Sequence, residues 1–181
     1  MVLDSTNPKI TLITGGARSG KSSYALSSAE CICGTRLFIA TASAVDDDLQ
    51  QRIQKHRDMR DVDLWQTIEE TIALSEVVIE SSQCNVIVVD CLTFWLSNLL
   101  LKNEGLTSES LGRLVFEVCS SIQSIPAKVF LVSNELGMGV HPTSELGRNF
   151  RDLHGFMNQR FAEAADRVVL MVSGCPLSVK N

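Results

Sequence analysis

Five short apolar runs, rich in β-branched residues, constrain the fold more than any other feature of this chain. They are Lys9 to Thr14, Arg36 to Thr41, Asn85 to Asp90, Lys128 to Ser133 and Arg167 to Val172. Runs of this length and composition are typical of strands that are buried on both faces. Because helical patterns separate them, the strands are expected to lie parallel in one sheet. The sequence therefore predicts an α/β fold of three layers with a mostly parallel central sheet.

Helical patterns occupy most of the chain between these runs. They extend over Ser22 to Glu30, Asp46 to Arg60, Ile68 to Ser81, Leu92 to Leu101, Ser108 to Ser124 and Ser144 to Ala165. The polar opening, Met1 to Pro8, is predicted to be a loose extension ahead of the first strand. With 181 residues, of which 45% are hydrophobic and 20% charged, the chain fits one domain with a substantial core. A second domain is not required.

Charge and cysteine usage exclude several classes of protein. A net charge of -5 and a pI near 5.2 argue against a general nucleic-acid or membrane-surface binder, because those proteins usually need a basic surface. The six cysteines form no C-x-x-C pair, so we interpret them as reduced thiols of a cytoplasmic protein. The chain contains neither a signal-peptide pattern nor an apolar run long enough to span a bilayer. We expect a protein without a membrane span that does not bind nucleic acid.

A phosphate-binding loop is predicted between the first strand and the first helix. The segment GGARSGKS, Gly15 to Ser22, satisfies the pattern G-x-x-x-x-G-K-[ST] in the strand-to-helix context that this motif requires. Its glycines allow backbone N–H groups to surround the phosphates, and the helix N-terminus adds a favourable dipole. Lys21 would reach the β- and γ-phosphates, and the Ser22 hydroxyl would bind Mg²⁺. The alternative is a glycine-rich turn with an exposed lysine.

A second ligand for the metal is expected at the end of another apolar strand. Asp90 closes the run VIVVD and matches that requirement. An alternative role for Asp90 is to cap the following helix, and one residue could serve both purposes. Asn134 and Glu135 follow the fourth strand, where ligands of open α/β sheets bind. An ordinary turn containing glycine would explain these two residues equally well.

An unusual cluster of cations surrounds one histidine. Arg52, His56 and Arg60 are spaced four residues apart and would form one stripe on a helix, which costs a few tenths of a kcal/mol per like-charged pair. A solvated basic face is the simpler explanation. The alternative is an anionic ligand that compensates the charge. Two nearby cations would lower the pKa of His56 and keep its imidazole neutral, which is the form that attacks phosphorus.

Several segments together resemble one family, the bifunctional adenosylcobinamide kinases and adenosylcobinamide-phosphate guanylyltransferases of cobalamin biosynthesis. The matching segments are TGGARSGKS, IATA, RIQKH, VDCLTFWLSNLL, VSNELGMGVHP and GRNFRDLHGFMNQRFAEAADRVVLMVSGCPLSVK, in order from Thr11 to Lys180. The resemblance implies a RecA-like P-loop NTPase fold and two reactions. The first phosphorylates adenosylcobinamide with ATP or GTP. The second transfers GMP from GTP to a histidine and then to the corrinoid phosphate, which gives adenosylcobinamide-GDP.

The resemblance also implies roles for individual residues. The guanylylated histidine falls on His56, so His56 and Lys21 are the expected catalytic residues, and Ser22 and Asp90 are the expected Mg²⁺ ligands. The expected nucleotide-binding residues are Gly15, Gly16, Ala17, Arg18, Ser19, Gly20, Lys21, Ser22, Ala40, Thr41, Ala42, Arg57, Asp58, Met59, Arg60, Glu69 and Asp90. Because this chain reads RDVDLW where the family often has a proline, the position of Glu69 could slip by one residue. The family also implies a homotrimer.

The two other histidines have no role in this resemblance. His141 precedes a proline in a predicted turn, and His154 lies in the last predicted helix, so both are interpreted as surface or packing residues. Two other functions stay open. The first is a small-metabolite kinase that uses ATP alone, in which His56 is structural. The second is a GTP-dependent switch protein, although the chain lacks the guanine-reading N-K-x-D segment.

Overall fold

One seven-stranded sheet organises the part of the chain that this computed structural model describes, which is residues 8–42, 64–103 and 105–181. Its strands are β1 (Ile10–Gly15), β2 (Arg36–Ala40), β3 (Trp65–Glu69), β4 (Val86–Asp90), β5 (Lys128–Val132), β6 (Arg167–Val172) and β7 (Cys175–Lys180). Their spatial order is β3-β2-β4-β5-β1-β6-β7. The first six strands are parallel to one another, and β7 is antiparallel to β6. All five predicted strands are therefore confirmed.

Five helices connect the strands within the described residues. They are α1 (Lys21–Glu30), α2 (Leu74–Glu80), α3 (Leu92–Lys102), α4 (Ser108–Ser124) and α5 (Glu145–Ala164). Four of them agree with the predicted helices to within one residue at each end. For α4 the agreement reflects a capping box, in which the Thr107 and Ser110 side chains each accept the other residue's backbone N–H. The predicted helix Asp46 to Arg60 lies outside the described residues.

Hydrophobic cores cover both faces of the sheet. On one face, side chains such as Leu12 and Val89 pack with residues of α2, α3, α4 and α5. On the other face, the neighbouring residues Ile13 and Val88 pack with α1. This alternation follows from the two-residue repeat of a strand, which sends successive side chains to opposite faces. Helix, sheet and helix thus form three layers, and the predicted P-loop NTPase fold class is confirmed.

The predicted helix Ile68 to Ser81 is wrong in its first part. Residues Trp65–Glu69 form β3 parallel to β2, and α2 begins only at Leu74. The buried Trp65 ring packs edge-on against Phe38 of β2, with ring centroids 6.5 Å apart. In β3 only Trp65 is buried, so the segment lacks the continuous apolar pattern that identified the other strands. Pairing with β2 overrides its weak local preference.

Strand β7 was absent from the sequence prediction. All six of its residues are exposed, as befits an antiparallel strand at the edge of the sheet. Ser173 and Gly174, with φ of 50° and 85°, make the tight turn from β6. The Ser-Gly pair is a turn signal that could have indicated this hairpin.

Strand register brings the predicted site residues to one edge of the sheet. Ala40 at the end of β2 is paired with Asp90 on one side and Glu69 on the other. Asp90 is also paired with Val132 of β5, which in turn neighbours β1 and its glycine-rich loop. Because parallel strands end on the same edge, this edge is where a ligand of an open α/β sheet binds. No helix in the described ranges is long and apolar enough to cross a membrane.

Candidate nucleotide-binding site

The loop between β1 and α1 has the backbone conformation of a phosphate cradle. Gly15 and Gly20 adopt φ of 148° and 94°, which favours glycine at both positions. A Cβ on Gly15 would lie 2.5 Å from the carbonyl oxygen of Met171 in β6. Gly16, Ala17 and Arg18 form the exposed rim of the loop, and Ser19 is buried beneath it. Both fixed glycines of the motif are thus required by the geometry.

The N-terminus of α1 follows directly on this cradle. Gly20 is the N-cap residue, it provides no side-chain cap, and the first turn carries no acidic residue. The first N–H groups of a helix lack carbonyl partners in the helix, and the helix dipole places partial positive charge there. A bound anion can therefore accept hydrogen bonds from the first N–H groups of α1. A phosphate group is the ligand that this arrangement fits best.

Lys21 lies across the cradle instead of extending into solvent. Its ammonium donates to the carbonyl oxygen of Gly16 at 2.6 Å, and the residue is 8% exposed. Burial lowers the pKa of Lys21, and the nearby Asp90 carboxylate opposes this effect. Burial also raises the pKa of the neighbouring Cys91 thiol to about 12, so this thiol is neutral and Asp90 provides the local negative charge. Lys21 is therefore a largely buried cation in a position to bind a phosphate group.

Ser22 and Asp90 supply oxygen ligands of the kind that Mg²⁺ prefers. Ser22 is half-buried in the first turn of α1, and Asp90 is half-buried at the end of β4. Within the described ranges no group of three or more His, Cys, Asp or Glu side chains could hold a metal by itself. Mg²⁺ is usually bound by one or two protein oxygens together with substrate phosphates. One hydroxyl and one carboxylate beside the cradle fit the expected ion.

The two glutamates at the end of β3 differ in what their side chains do. Glu69 is exposed, and strand pairing places it next to Ala40. Glu70 accepts the backbone N–H groups of Ile72 at 2.7 Å and Ala73 at 2.8 Å. Partial burial raises the pKa of Glu70, but these bonds outweigh it and hold the pKa below its usual value. Glu70 therefore supports the loop that follows β3, and the nucleotide contact of Glu69 stays a prediction.

The turn between β6 and β7 supports the phosphate loop from behind. Gly174 donates its backbone N–H to the carbonyl oxygen of Ser19 at 3.0 Å. The Cα of Gly174 would lie 3.5 Å from a Cβ on Gly20. The bond to Ser19 holds the loop at its far end, and the turn leaves little room for a side chain at residue 20. Sequence reasoning missed this support because it missed the hairpin.

The segment after β5 is hydrogen-bonded to the cradle. Glu135 donates its backbone N–H to the carbonyl oxygen of Gly15 at 2.9 Å. The N–H of Asn134 donates to Thr93 Oγ1 at 3.0 Å, and its carbonyl accepts from Asn158 Nδ2 at 2.9 Å. Thr93 and Asn158 come from α3 and α5, so two helices fix this segment beside the phosphate loop. Sequence reasoning identified Asn134 and Glu135 but missed these two supports.

The two histidines within the described ranges differ in environment. His154 is 1% exposed, and its Nε2 lies 3.0 Å from Thr93 Oγ1. Burial lowers the pKa of His154 to about 4, so it is a neutral packing residue at pH 7. His141 is exposed, and its Nδ1 accepts a hydrogen bond from Arg151 at 2.7 Å. Each histidine was predicted to be a surface or packing residue. His154 is a packing residue, and His141 is a surface residue.

Part of the predicted site lies outside the described residues. This applies to the expected nucleophile His56, to its neighbours Arg52 and Arg60, and to the nucleotide-binding candidates Arg57, Asp58 and Met59. It applies also to residues 1–7 of the predicted N-terminal extension. The other predicted residues, from the cradle, β2, β3 and β4, lie along the carboxyl edge of the sheet.

Comparison with known proteins identifies relatives over nearly the whole chain. The model of the cobinamide kinase / cobinamide phosphate guanyltransferase family matches residues 11–179. The bifunctional adenosylcobalamin biosynthesis protein CobP of Pseudomonas aeruginosa is 39% identical, with 94% of this chain and 96% of the relative covered. Proteins of the same description named CobU, from Salmonella typhimurium and Escherichia coli, are 38% and 37% identical. In both comparisons 93% of this chain and 98% of the relative are covered.

Proposed function

The chain belongs to the cobinamide kinase / cobinamide phosphate guanyltransferase family, and we propose that it catalyses both reactions of that description. In the first, it phosphorylates adenosylcobinamide with ATP or GTP. In the second, it transfers GMP from GTP through a guanylyl-histidine intermediate to the corrinoid phosphate, which gives adenosylcobinamide-GDP. The observation that carries the proposal is the phosphate cradle of Gly15 to Ser22 beside Asp90, in a chain matched by the family model over residues 11–179.

In the kinase reaction, the cradle binds the triphosphate and stabilises the transferring group. The corrinoid hydroxyl oxygen forms a bond to the γ-phosphorus and releases its proton to solvent. The bond between that phosphorus and the β–γ bridging oxygen breaks, and ADP or GDP leaves. Lys21 exchanges its bond to the Gly16 carbonyl for a phosphate oxygen, and the α1 N-terminus stabilises the charge on the phosphate groups. Ser22 and Asp90 would hold Mg²⁺, which would supply positive charge to offset that of the phosphates.

In the guanylyl transfer, His56 is the proposed nucleophile. Its imidazole nitrogen bonds to the α-phosphorus of GTP as the bond to the β-phosphate oxygen breaks and pyrophosphate leaves. The phosphate of the corrinoid then attacks the same phosphorus, and the P–N bond breaks to restore neutral imidazole. Arg52 and Arg60, four residues to either side, support this role because cations favour neutral imidazole and attract phosphate oxygens.

The surroundings of the enzyme are also part of the proposal. Its partners are the corrinoid substrate and nucleotides, and it acts in the cytoplasm as one catalytic domain. It assembles as a homotrimer, as the family resemblance implies. Scattered cysteines and an acidic net charge of -5 support a cytoplasmic enzyme of small molecules over a nucleic-acid binder.

Labelled GTP distinguishes this proposal from a simple kinase. Incubation with GTP labelled at the α-phosphate is expected to give a covalent protein label that is acid-labile and base-stable. The label should be absent from His56→Asn and present in His141→Asn, a matched variant of an exposed histidine. Wild-type protein that phosphorylates adenosylcobinamide but takes up no label would instead be a kinase alone.

The kinase half is tested separately with ATP labelled at the γ-phosphate. Lys21→Met should lower the rate of transfer to adenosylcobinamide by a factor on the order of 100, which is the usual effect of removing one transition-state contact. Lys180→Met is the matched control, since Lys180 is exposed on β7 and bonds to carbonyls of α5. Equal rates for the two variants would exclude the cradle as the kinase site. Nucleotide-dependent binding of a partner protein without either transfer would indicate a switch protein.

A further inference from the structure

Thr41 forms hydrogen bonds to the protein with all its polar groups, although it lies in the segment Ala40 to Ala42 that was expected to contact the nucleotide. Its N–H donates to the carbonyl oxygen of Asp90 at 3.1 Å, and its carbonyl accepts from Asn98 Nδ2 at 2.8 Å. Its hydroxyl donates to the Cys91 carbonyl at 2.6 Å and accepts the Cys91 N–H at 2.8 Å. Thr41 is 0% exposed. Its side chain is therefore inaccessible to a ligand in the cradle.

These bonds fix the backbone on the carboxyl side of Asp90. One hydroxyl binds both the N–H and the C=O of Cys91, and the N–H of Thr41 binds the Asp90 carbonyl. Three bonds from one buried residue thus hold two consecutive residues at the end of β4. Buried hydrogen bonds are costly to leave unmade, so this clamp resists displacement. The Asp90 side chain projects from the held backbone.

Asn98 holds the clamp itself in place. Its Nδ2 donates to the carbonyl of Thr41 at 2.8 Å and to the carbonyl of Thr71 at 3.2 Å. Asn98 belongs to α3, which begins at Leu92, two residues after Asp90. The helix that follows the metal-binding candidate Asp90 in sequence therefore also carries the residue that holds Thr41 in place. Asn98 thus supports Thr41, and Thr41 supports the backbone at the end of β4.

From this geometry we propose that Thr41 is a positioning residue for Asp90 and that its hydroxyl does not contact the nucleotide. The inference rests on the proposed function, in which Asp90 binds Mg²⁺. Residues that orient a metal ligand typically change metal affinity or activity by 10- to 100-fold when they are replaced. A small displacement of the ligand is sufficient for such losses, because the ion requires near-ideal octahedral geometry.

Two variants of Thr41 isolate its hydroxyl. Thr41→Ser loses only the methyl group, whereas Thr41→Ala loses the methyl and the hydroxyl together. We expect Thr41→Ala to weaken Mn²⁺ affinity of the GTP complex, measured by electron paramagnetic resonance, by roughly 10- to 100-fold relative to Thr41→Ser. The rate of kinase turnover should fall by a similar factor. GTP affinity measured without a divalent ion should stay within about twofold, as a positioning role for a metal ligand requires.

A double-mutant cycle with Asp90→Asn tests whether Thr41 acts through Asp90. In the Asp90→Asn background, Thr41→Ala should change Mn²⁺ affinity by less than about twofold, because the group that it positions is gone. An undiminished effect in that background would overturn the inference. So would equal Mn²⁺ affinity in Thr41→Ala and Thr41→Ser, or a loss of metal-free GTP affinity, which would make the hydroxyl a nucleotide contact.

A further variant covers the case in which Thr41→Ala does not fold. Asn98→Ala removes the bond to the Thr41 carbonyl and should produce a smaller loss of Mn²⁺ affinity that also vanishes in the Asp90→Asn background. The failure of the proposed function has a different signature. If Asp90→Asn alone kept wild-type Mn²⁺ affinity, the metal role of Asp90 would be wrong and this inference would be overturned with it. The guanylyl-transfer part of the proposed function is tested separately, by labelling of His56 with GTP.

Discussion

Gly15 lies so close to Met171 that a Cβ on Gly15 would be 2.5 Å from the Met171 carbonyl oxygen. The obstacle is backbone of the neighbouring strand β6, which is paired with β1 at this point. Gly15 also has φ of 148°, a conformation that L side chains rarely adopt. The phosphate loop can therefore leave the sheet at this angle only because residue 15 has no side chain.

The first prediction concerns the two glycines at the start of the loop. Gly15→Ala should lower the free energy of unfolding by about 1–3 kcal/mol, through backbone strain and the contact with Met171. It should also weaken GTP binding by at least about tenfold as the loop shifts. Gly16→Ala is the matched stability control, because a Cβ on Gly16 would meet nothing within 4 Å. Urea unfolding without nucleotide compares the two, and equal stabilities would contradict the prediction.

The second prediction concerns pH and His154. Burial lowers its pKa from 6.5 to about 4, so between these values the unfolded chain binds a proton that the folded chain does not. Stability should therefore fall as pH falls from about 6.5 towards 4, by about 1.4 kcal/mol per pH unit where the difference is complete. At pH 5 this amounts to about 2 kcal/mol relative to pH 8.

Urea unfolding at several pH values measures this contribution. His154→Gln keeps an acceptor near Thr93 without a titrating ring, so its stability should depend less steeply on pH than that of the wild type across this window. His141→Gln, the same substitution at an exposed histidine, is measured in parallel. A His154→Gln slope equal to that of the wild type would show that His154 does not supply the difference.

The third prediction separates the adjacent residues Glu69 and Glu70. Glu70→Gln should lower the free energy of unfolding by about 1 kcal/mol, because a neutral amide accepts the N–H groups of Ile72 and Ala73 less strongly. It should leave GTP affinity nearly unchanged. Glu69→Gln should weaken GTP binding, as expected if Glu69 contacts the nucleotide. Isothermal titration and urea unfolding measure both quantities, and the opposite assignment of effects would place the ligand contact at Glu70.

Sequence reasoning succeeded where a local pattern determines the structure. Five strands are apolar on both faces, namely β1, β2, β4, β5 and β6. A short run of this kind is buried most readily as a strand inside a sheet. The cradle from Gly15 to Ser22 follows the same logic, since its glycines, lysine and serine act through groups a few residues apart. Strand β3 was not predicted, because Trp65 is its only buried residue and the segment lacks an apolar pattern.

The roles of side chains that bond across the fold were not predictable in the same way. Thr41 and Cys91 are fifty residues apart, and only the register of β2 against β4 brings the hydroxyl of one to the backbone of the other. The buried position of His154 likewise depends on how α5 packs beside α3. The spacing of residues in the sequence does not predict these contacts, because each contact forms only after the core has positioned two separate elements.

For this protein, the sequence by itself determined the parallel α/β architecture, the phosphate cradle and the family to which the chain belongs. Only the tertiary structure decided that Glu70 supports a loop, that Gly174 holds the cradle from behind and that Thr41 is enclosed beside Asp90. The physical reason is the range of the interactions. Periodic burial and short motifs act within one segment, whereas hydrogen bonds between segments exist only after the sheet has set their distance.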